Sequence, residues 1–317
     1  MMRATLANSC ALVAAVALTV QLGHGHGWAR NGGPSASRGR SPATSSASLV
    51  DATGHPLPPR RYARIVSTNL VTDRLLLELA EPDRILAFSR AAAERPRDGY
   101  RYAGKPLVDG FGPLEALIAL RPDLVLTNSF GTPGRAAKLR SAGIEVFDLG
   151  ELRGVSSLVS AATTLADLLG QPERGKALAR SFVQRMNNVA AGLAGRPRKT
   201  ALFLSIIGNQ VQGGTAGTAL YDILTAGGLV DVAATSYHDW PAYSAEQLLA
   251  LQPDLIVTKQ GMSAAVCAFP GADHLLACRE PDRIIELPAE LLDEPGPAML
   301  EAAEAIYRRV YGVEHQR

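Results

Sequence analysis

The sequence predicts an α/β fold of two lobes, each with a mainly parallel sheet, joined by a long helical connection. Three observations carry that expectation. First, residues 115–127 are echoed 131 positions later by residues 246–258. Both copies run from a glutamate through an amphipathic turn to Leu-x-Pro-Asp and then an apolar run ending in threonine. Leu117 with Leu120, and Leu248 with Leu251, are spaced as one face of a short helix requires. Pro122 and Pro253 stop those helices, because proline lacks an amide proton and restricts the residue before it. The following runs, 124–127 and 255–258, are apolar enough to be strands buried on both faces. Second, strand-like and helix-like segments alternate through both halves, the pattern of parallel sheets covered by helices. Third, residues 154–194 break the alternation with helical periodicity alone.

In order, residues 1–29 are expected to be a secretory signal peptide. Arg3 precedes an apolar core of about ten residues, 11–20, too short for a membrane span of about twenty. Small residues at Gly27 and Ala29 suit cleavage after Ala29, and Gly23-His24-Gly25 offers a second site. Cys10 and the Gly-His-Gly-His-Gly tract leave with this leader. Residues 30–61 are rich in Gly, Ser, Pro and Arg and are expected to be a disordered linker.

The first lobe spans residues 62–153. Strand 64–67 is followed by a helix over 73–80 that Asn69 or Thr72 can cap, then a strand over 84–88. A mobile polar stretch over 90–105 carries Tyr100, Arg101 and Tyr102. The first copy of the repeat follows, then a helix over 135–142 and a strand over 144–147. Residues 154–196 form the connection. One helix spans 155–169, and a second, with Pro172 in its first turn, runs to about 194. At ~1.5 Å per residue the second would reach ~34 Å, enough for a rigid strut. The second lobe spans 197–317. It opens with a strand over 200–207 and a glycine-rich loop over 208–218, and continues through a helix over 219–226 to the second copy. A helix near 273–277, a strand over 282–287 and a final helix over 298–311 complete it.

Composition narrows the function. Of 317 residues 47% are hydrophobic and 20% charged, as in a globular protein. The formal charge is +2, with +4 in residues 30–61 and −3 in residues 62–317. A slightly acidic body argues against nucleic acid as the partner. Nothing in the sequence asks for an obligate oligomer.

Individual motifs separate further. The glycine-rich stretch lacks the Gly-Lys-Ser/Thr of a phosphate loop and the spacing of a dinucleotide fingerprint, so it is read as a turn at a cleft edge, with Asn209 there to meet a ligand. Gly261-Met-Ser263-Ala-Ala265 half-matches a nucleophile elbow, with His274 and His315 downstream, which leaves a secreted serine hydrolase using Ser263 as an alternative. The histidines after the leader have no metal-ligand spacing, so no intrinsic metal or cofactor is expected. Aromatic residues are only 5% of the chain, yet Tyr237, His238, Trp240 and Tyr243 fall together. That cluster reads as a ligand wall, or as a structural tryptophan packed under a loop. Tyr237 with His238 could instead ligate a haem iron. Cys267 and Cys278 remain once the leader is removed; they are either a disulfide or two buried thiols.

Residues 64–67, 114–125, 169–173 and 246–256 together resemble the substrate-binding proteins of ABC importers for cobalamin, ferric siderophores and haem, the helical-backbone class. The resemblance covers about residues 62–312. It implies the class III periplasmic-binding-protein fold, a non-catalytic receptor in the periplasm, a metal chelate held between the lobes, and a monomer that docks on a membrane permease. It implies one docking glutamate on each lobe, here Glu115 and Glu246. Trp240-Pro-Ala-Tyr-Ser-Ala-Glu-Gln is most similar to the cobalamin-binding members and gives Trp240 a ligand contact. Asp109, Asn128, Ile206 and Ile207 stand where those members carry aromatics, so a ferric siderophore or another chelate fits a more polar pocket. The ligand-contacting set expected is Asn69, Tyr100, Tyr102, Asn128, Asn209, Tyr237, His238, Trp240 and Tyr243. A haem receptor of the same fold is the alternative.

Overall fold

The computed structural model describes residues 49–58, 60–93, 99–128, 134–293 and 295–312. The leader 1–29, linker residues 30–48 and His315 lie outside them.

Two parallel sheets form the lobes. The first has the order β5-β4-β3-β6-β7: β3 (Ile65–Ser67), β4 (Ile85–Ser89), β5 (Leu107–Val108), β6 (Leu124–Thr127) and β7 (Val146–Asp148). Its helices are α1 (Leu70–Leu79), α2 (Arg90–Ala93), α3 (Leu114–Ala119) and α4 (Arg135–Ser141). The second sheet has the order β11-β8-β12-β13: β8 (Thr200–Phe203), β11 (Val230–Asp231), β12 (Leu255–Lys259) and β13 (Ile284–Leu287). Its helices are α7 (Ala219–Ala226), α8 (Ala245–Leu251), α9 (Ser263–Cys267), α10 (Leu276–Arg279), α11 (Ala289–Leu292) and α12 (Ala298–Tyr311).

The repeated sequence occupies equivalent places. Each copy is a helix (α3 or α8) feeding the strand (β6 or β12) that pairs with the lobe's first strand on one side and its last on the other. The Leu-x-Pro-Asp element explains its own recurrence. Arg121 and Gln252, each just before the proline, adopt left-handed backbone (φ 49° and 42°), because proline disfavours right-handed helix at that position and a left-handed residue ends a helix sharply. The aspartate then ties the strands. Asp123 accepts from the backbone N–H groups of Ala63 (2.7 Å) and Arg64 (2.9 Å) ahead of β3. Asp254 accepts from the N–H (2.9 Å) and hydroxyl (2.7 Å) of Thr200 at the start of β8.

Between the lobes run α5 (Val155–Leu168) and α6 (Pro172–Asn188). They pack so closely that a Cβ on Gly175 would lie 2.2 Å from the Ala166 methyl. The amino-terminal part of α6 presents Leu178 to the first lobe's core, its carboxy-terminal part presents Met186 to the second, and Phe182 packs against both. The strut is shorter than the 172–194 helix expected. It ends at Asn188 and a 3-10 turn, Ala191–Leu193, follows, where Gly192 and Gly195 weaken helical propensity.

Other boundaries also move. Residues 49–58, expected in a disordered linker, form the hairpin β1 (Leu49–Val50) and β2 (Pro56–Leu57). Leu57 joins the first core, and buried Asp51 accepts from Arg140 at 2.6 Å and from the Asp148 N–H at 3.1 Å. The strand expected over 200–207 breaks after Phe203. Its end, β9 (Ser205–Ile207), leaves the sheet to pair antiparallel with β10 (Gln210–Gln212) across a Gly208-Asn209 turn, Gly208 having φ 60°. Residues 90–93 and 99–102 of the expected mobile stretch are helical. Cys267 and Cys278 are joined by a disulfide, Cα to Cα 5.4 Å, tying the end of α9 to α10.

Candidate ligand-binding cleft

The first lobe presents the carboxyl ends of its parallel strands, where α/β sheets characteristically hold ligands. Thr68 after β3, Ser89 of β4, Asp109 after β5 and Asn128 after β6 line a cavity of about 330 Å³. The second lobe closes it with Gly217–Leu220 at the start of α7, Trp240, Leu292 at the end of α11, and Asp293 and Pro295 just after it. Glu151, Leu152 and Arg153 run along its side as the chain leaves the first lobe.

Local packing sets each wall. Gly110 cannot be replaced without displacing backbone, since a Cβ there would lie 1.9 Å from the Thr68 carbonyl oxygen. That close approach holds Asp109 and Phe111 over the end of β3. Phe111 is 77% exposed. Asn69 caps α1, its Oδ1 accepting the Thr72 N–H at 3.0 Å, and also lines the cavity. Beneath Arg90, the buried Asp73 carboxylate accepts from both the N–H and the hydroxyl of Ser89.

In the second lobe the glycines make room for aromatic rings. A Cβ on Gly214 would lie 3.0 Å from Trp240 Cζ3, and one on Gly213 2.6 Å from Tyr243 Cε2. Trp240 is thereby anchored along one edge while 47% exposed on the cavity wall. Tyr243 is 4% exposed and packs edge to face with Tyr237 at 5.3 Å. Burial pushes the Tyr243 hydroxyl far above its ordinary range. Of the aromatic cluster, Trp240 alone lines the cavity; Tyr243 and Tyr237 belong to the core of the lobe, and His238 is exposed elsewhere. Tyr102 is likewise a core residue, 1% exposed, edge to face with Phe88 at 5.0 Å. Tyr100 is exposed away from the cavity, Arg101 pairs with Glu78 at 2.8 Å, and Asn209 sits at the tip of the β9–β10 turn. So Asn69, Asn128 and Trp240 come together, and the other six expected ligand contacts do not.

Sequence reasoning did not assign Arg90, Phe111, Glu151, Arg153 and Asp293 to the cleft. Arg153 donates to Asp239 at 2.8 Å and pairs with Glu151 at 3.2 Å, which hold its pKa above the ordinary value, Glu151 more strongly. Asp293 pairs with Lys259, and Asp109 accepts the Phe111 N–H at 2.9 Å. Among the described lining residues there is no His, Tyr, Cys or Met, and no cluster of metal-ligating side chains occurs among the described residues.

Ser263 sits at the start of α9, its N–H donating to Glu286 at 3.1 Å. The Ser263 hydroxyl bonds the same carboxylate and holds its pKa below the usual range. His274 is paired with Asp273 and Arg279 instead. Glu115 and Glu246 are both exposed in the first turns of α3 and α8. Ser244 caps α8, accepting the Gln247 N–H at 3.3 Å. Its hydroxyl donates to Glu246 at 2.7 Å, which lowers the pKa of that carboxyl.

Two α/β lobes, a helical strut and a ligand-sized cleft between them define the class III periplasmic-binding-protein fold. The chain belongs to the periplasmic binding protein family, whose model matches residues 65–291. It is 25% identical over 194 residues to the vitamin B12-binding protein of Vibrio cholerae (strain ATCC 39541), 61% of this chain and 70% of that one. Among solved structures it resembles a possible iron-binding periplasmic solute-binding protein of Staphylococcus epidermidis ATCC 12228. The TM-score is 0.69 at 17% identity, covering 80% of this chain and 100% of that one. It also resembles the periplasmic heme-binding protein RhuT of Roseiflexus sp. RS-1, with TM-score 0.64 and 23% identity, covering 78% and 98%. The chain is a binding protein of this family, not an enzyme.

Proposed function

We propose that this protein is a periplasmic receptor, exported by its leader, that captures a cobalamin- or ferric-siderophore-type metal chelate and delivers it to an ABC importer permease. The observation that carries the ligand class is the lining of the cleft. It combines aromatic faces, Trp240 and Phe111, with arginines and amides, and among its described residues it offers no imidazole, phenolate or sulfur to a metal. The three carboxylates among those described residues, Asp109, Glu151 and Asp293, are each engaged by a protein partner. Such a site suits a metal already saturated by its own chelator. It gives less support to haem, whose iron would look for an axial side chain. The vitamin B12-binding relatives point to the same class of cargo.

Trp28 lies in the leader, so Trp240 is the single tryptophan of residues 30–317 and reports directly on the cleft. Titration of the exported protein with cobalamin, a panel of ferric siderophores and haem, following that fluorescence, tests the proposal. Micromolar or tighter binding of a saturated chelate is expected. A Soret band that shifts on tyrosine or histidine substitution would move the assignment to haem.

Delivery rests on Glu115 and Glu246. They stand on equivalent helix starts of the two lobes, where a carboxylate is favoured by the helix dipole and stays exposed to a cationic partner. Exposed ion pairs contribute only ~0.2–1 kcal/mol each, so docking is reversible and the receptor, a monomer, can leave after unloading. The double variant Glu115→Ala/Glu246→Ala is expected to keep its ligand Kd within about two-fold and to lose ligand-stimulated ATPase activity of the permease. A variant that loses ligand binding as well would sink the docking assignment.

A further inference from the structure

The Arg153–Asp239 pair crosses the cleft beside Trp240. Arg153 belongs to the end of the first lobe and Asp239 to the second, and both are half exposed. The carboxylate is placed there by the fold. The Asp239 N–H donates to the Ala216 carbonyl at 2.8 Å, and its carbonyl accepts the Thr215 N–H at 3.0 Å. Its backbone is left-handed (φ 61°), a conformation that aspartate tolerates better than most residues because its short polar side chain can bond locally. Gly217, itself at φ 88°, leaves space for the carboxylate: a Cβ there would lie 3.2 Å from Asp239 Oδ1. The Arg90 side chain, lining the same cavity, makes no hydrogen bond or ion pair with the described residues. Among the described lining residues the cleft therefore holds one open cation, Arg90, and one with an internal partner, Arg153.

We propose that Asp239 is a specificity-determining residue: it latches the lobes as the internal counterion of Arg153, and an anionic group of the ligand takes the guanidinium over from it. The inference rests on the receptor reading above and adds the charge class of the cargo. A guanidinium offers parallel N–H donors that match carboxylate, catecholate or phosphate oxygens. An exposed ion pair is weak enough for such oxygens to displace. Glu151 stays on Nε and keeps the fork oriented while Nη1 changes partner. A neutral or cationic chelate has nothing to exchange for Asp239 and must bind with the latch in place. Selection for anionic chelates follows.

The test compares a trianionic ferric tris-catecholate with the monocationic ferric complex of desferrioxamine B. Asp239→Asn is expected to tighten binding of the first roughly five- to ten-fold and to leave the second unchanged or weaker. In an Arg153→Gln background the gain from Asp239→Asn should fall to about two-fold or less. Equal gains in both backgrounds, or weaker binding of the anion, would overturn the proposal. The latch is also measured without any ligand, by pulsed electron-spin distances between labels at Ala116→Cys and Ala250→Cys, exposed on α3 and α8. A broader interlobe distribution in Asp239→Asn is expected, and an unchanged one refutes the latch. If neither chelate binds the parent protein, the cargo assignment fails while the distance measurement still decides the latch.

Discussion

Trp240 shows what one residue's surroundings decide. Gly214 lets backbone lie close against one edge of the indole, and the rest of the ring is left to the cavity. A ligand covering about half of a tryptophan's ~150–250 Å² removes enough apolar surface to contribute roughly 2 kcal/mol. Trp240→Ala is therefore expected to raise Kd by about 30-fold with little change in unfolding midpoint, because the side chain is not part of the core. Calorimetric titration alongside urea denaturation checks both halves. Trp240 was legible because a rare aromatic stood out in an aromatic-poor chain. Its neighbours shared that signal and misled: Tyr237 and Tyr243 are equally aromatic, but they turn into the lobe, where Gly213 opens the space for a ring. Periodicity cannot tell those directions apart in a loop. Arg90 and Arg153 escaped notice for the opposite reason. Surface arginines are common, and only the topology brings these two to one cavity.

At the scale of elements, the Pro-Asp clip joins pattern to packing. Hydrogen bonds from Thr200 hold the Asp254 carboxyl below its ordinary pKa. Its folded pKa lies below its unfolded one, so it adds stability above the unfolded value of about 3.9 and loses it as pH falls through the folded value. Asp254→Asn should therefore be less stable than the parent at neutral pH, with the difference shrinking as both are taken below about pH 4. Urea midpoints measured across that range give the curve, and a difference that stays constant with pH would dismiss the ionic part of the clip. The repeat itself was legible because helix face, proline stop and buried strand each leave a sequence mark. The β9–β10 hairpin was not. Its Gly-Asn turn lay inside a stretch already rich in glycine, and the apolar run before it continued the strand pattern unbroken. The hairpin at residues 49–57 was hidden in the same way, since Asp51 organises it through partners, Arg140 and Asp148, about ninety residues away.

The whole molecule depends on α6. Its length was overestimated from sequence, yet its role as a strut holds, because the residues that matter lie before Asn188. Phe182 packs against the cores of both lobes. A receptor built this way ties the stability of one lobe to the other, so large hinge opening would require breaking that shared packing. Truncating a half-buried phenylalanine costs about 2 kcal/mol, less than the full-burial value because part of the ring already meets solvent. If the lobes unfold together, Phe182→Ala lowers protection of β3 and β6 amides and of β8 and β12 amides by the same free energy in native-state hydrogen exchange. Lobes that were merely tethered would show the loss on one sheet alone. Equal loss in both means that α6 fuses the two cores into one cooperative unit, which limits the lobes to small hinge motions about the strut, within reach of a weak cleft-side contact such as the Arg153–Asp239 pair.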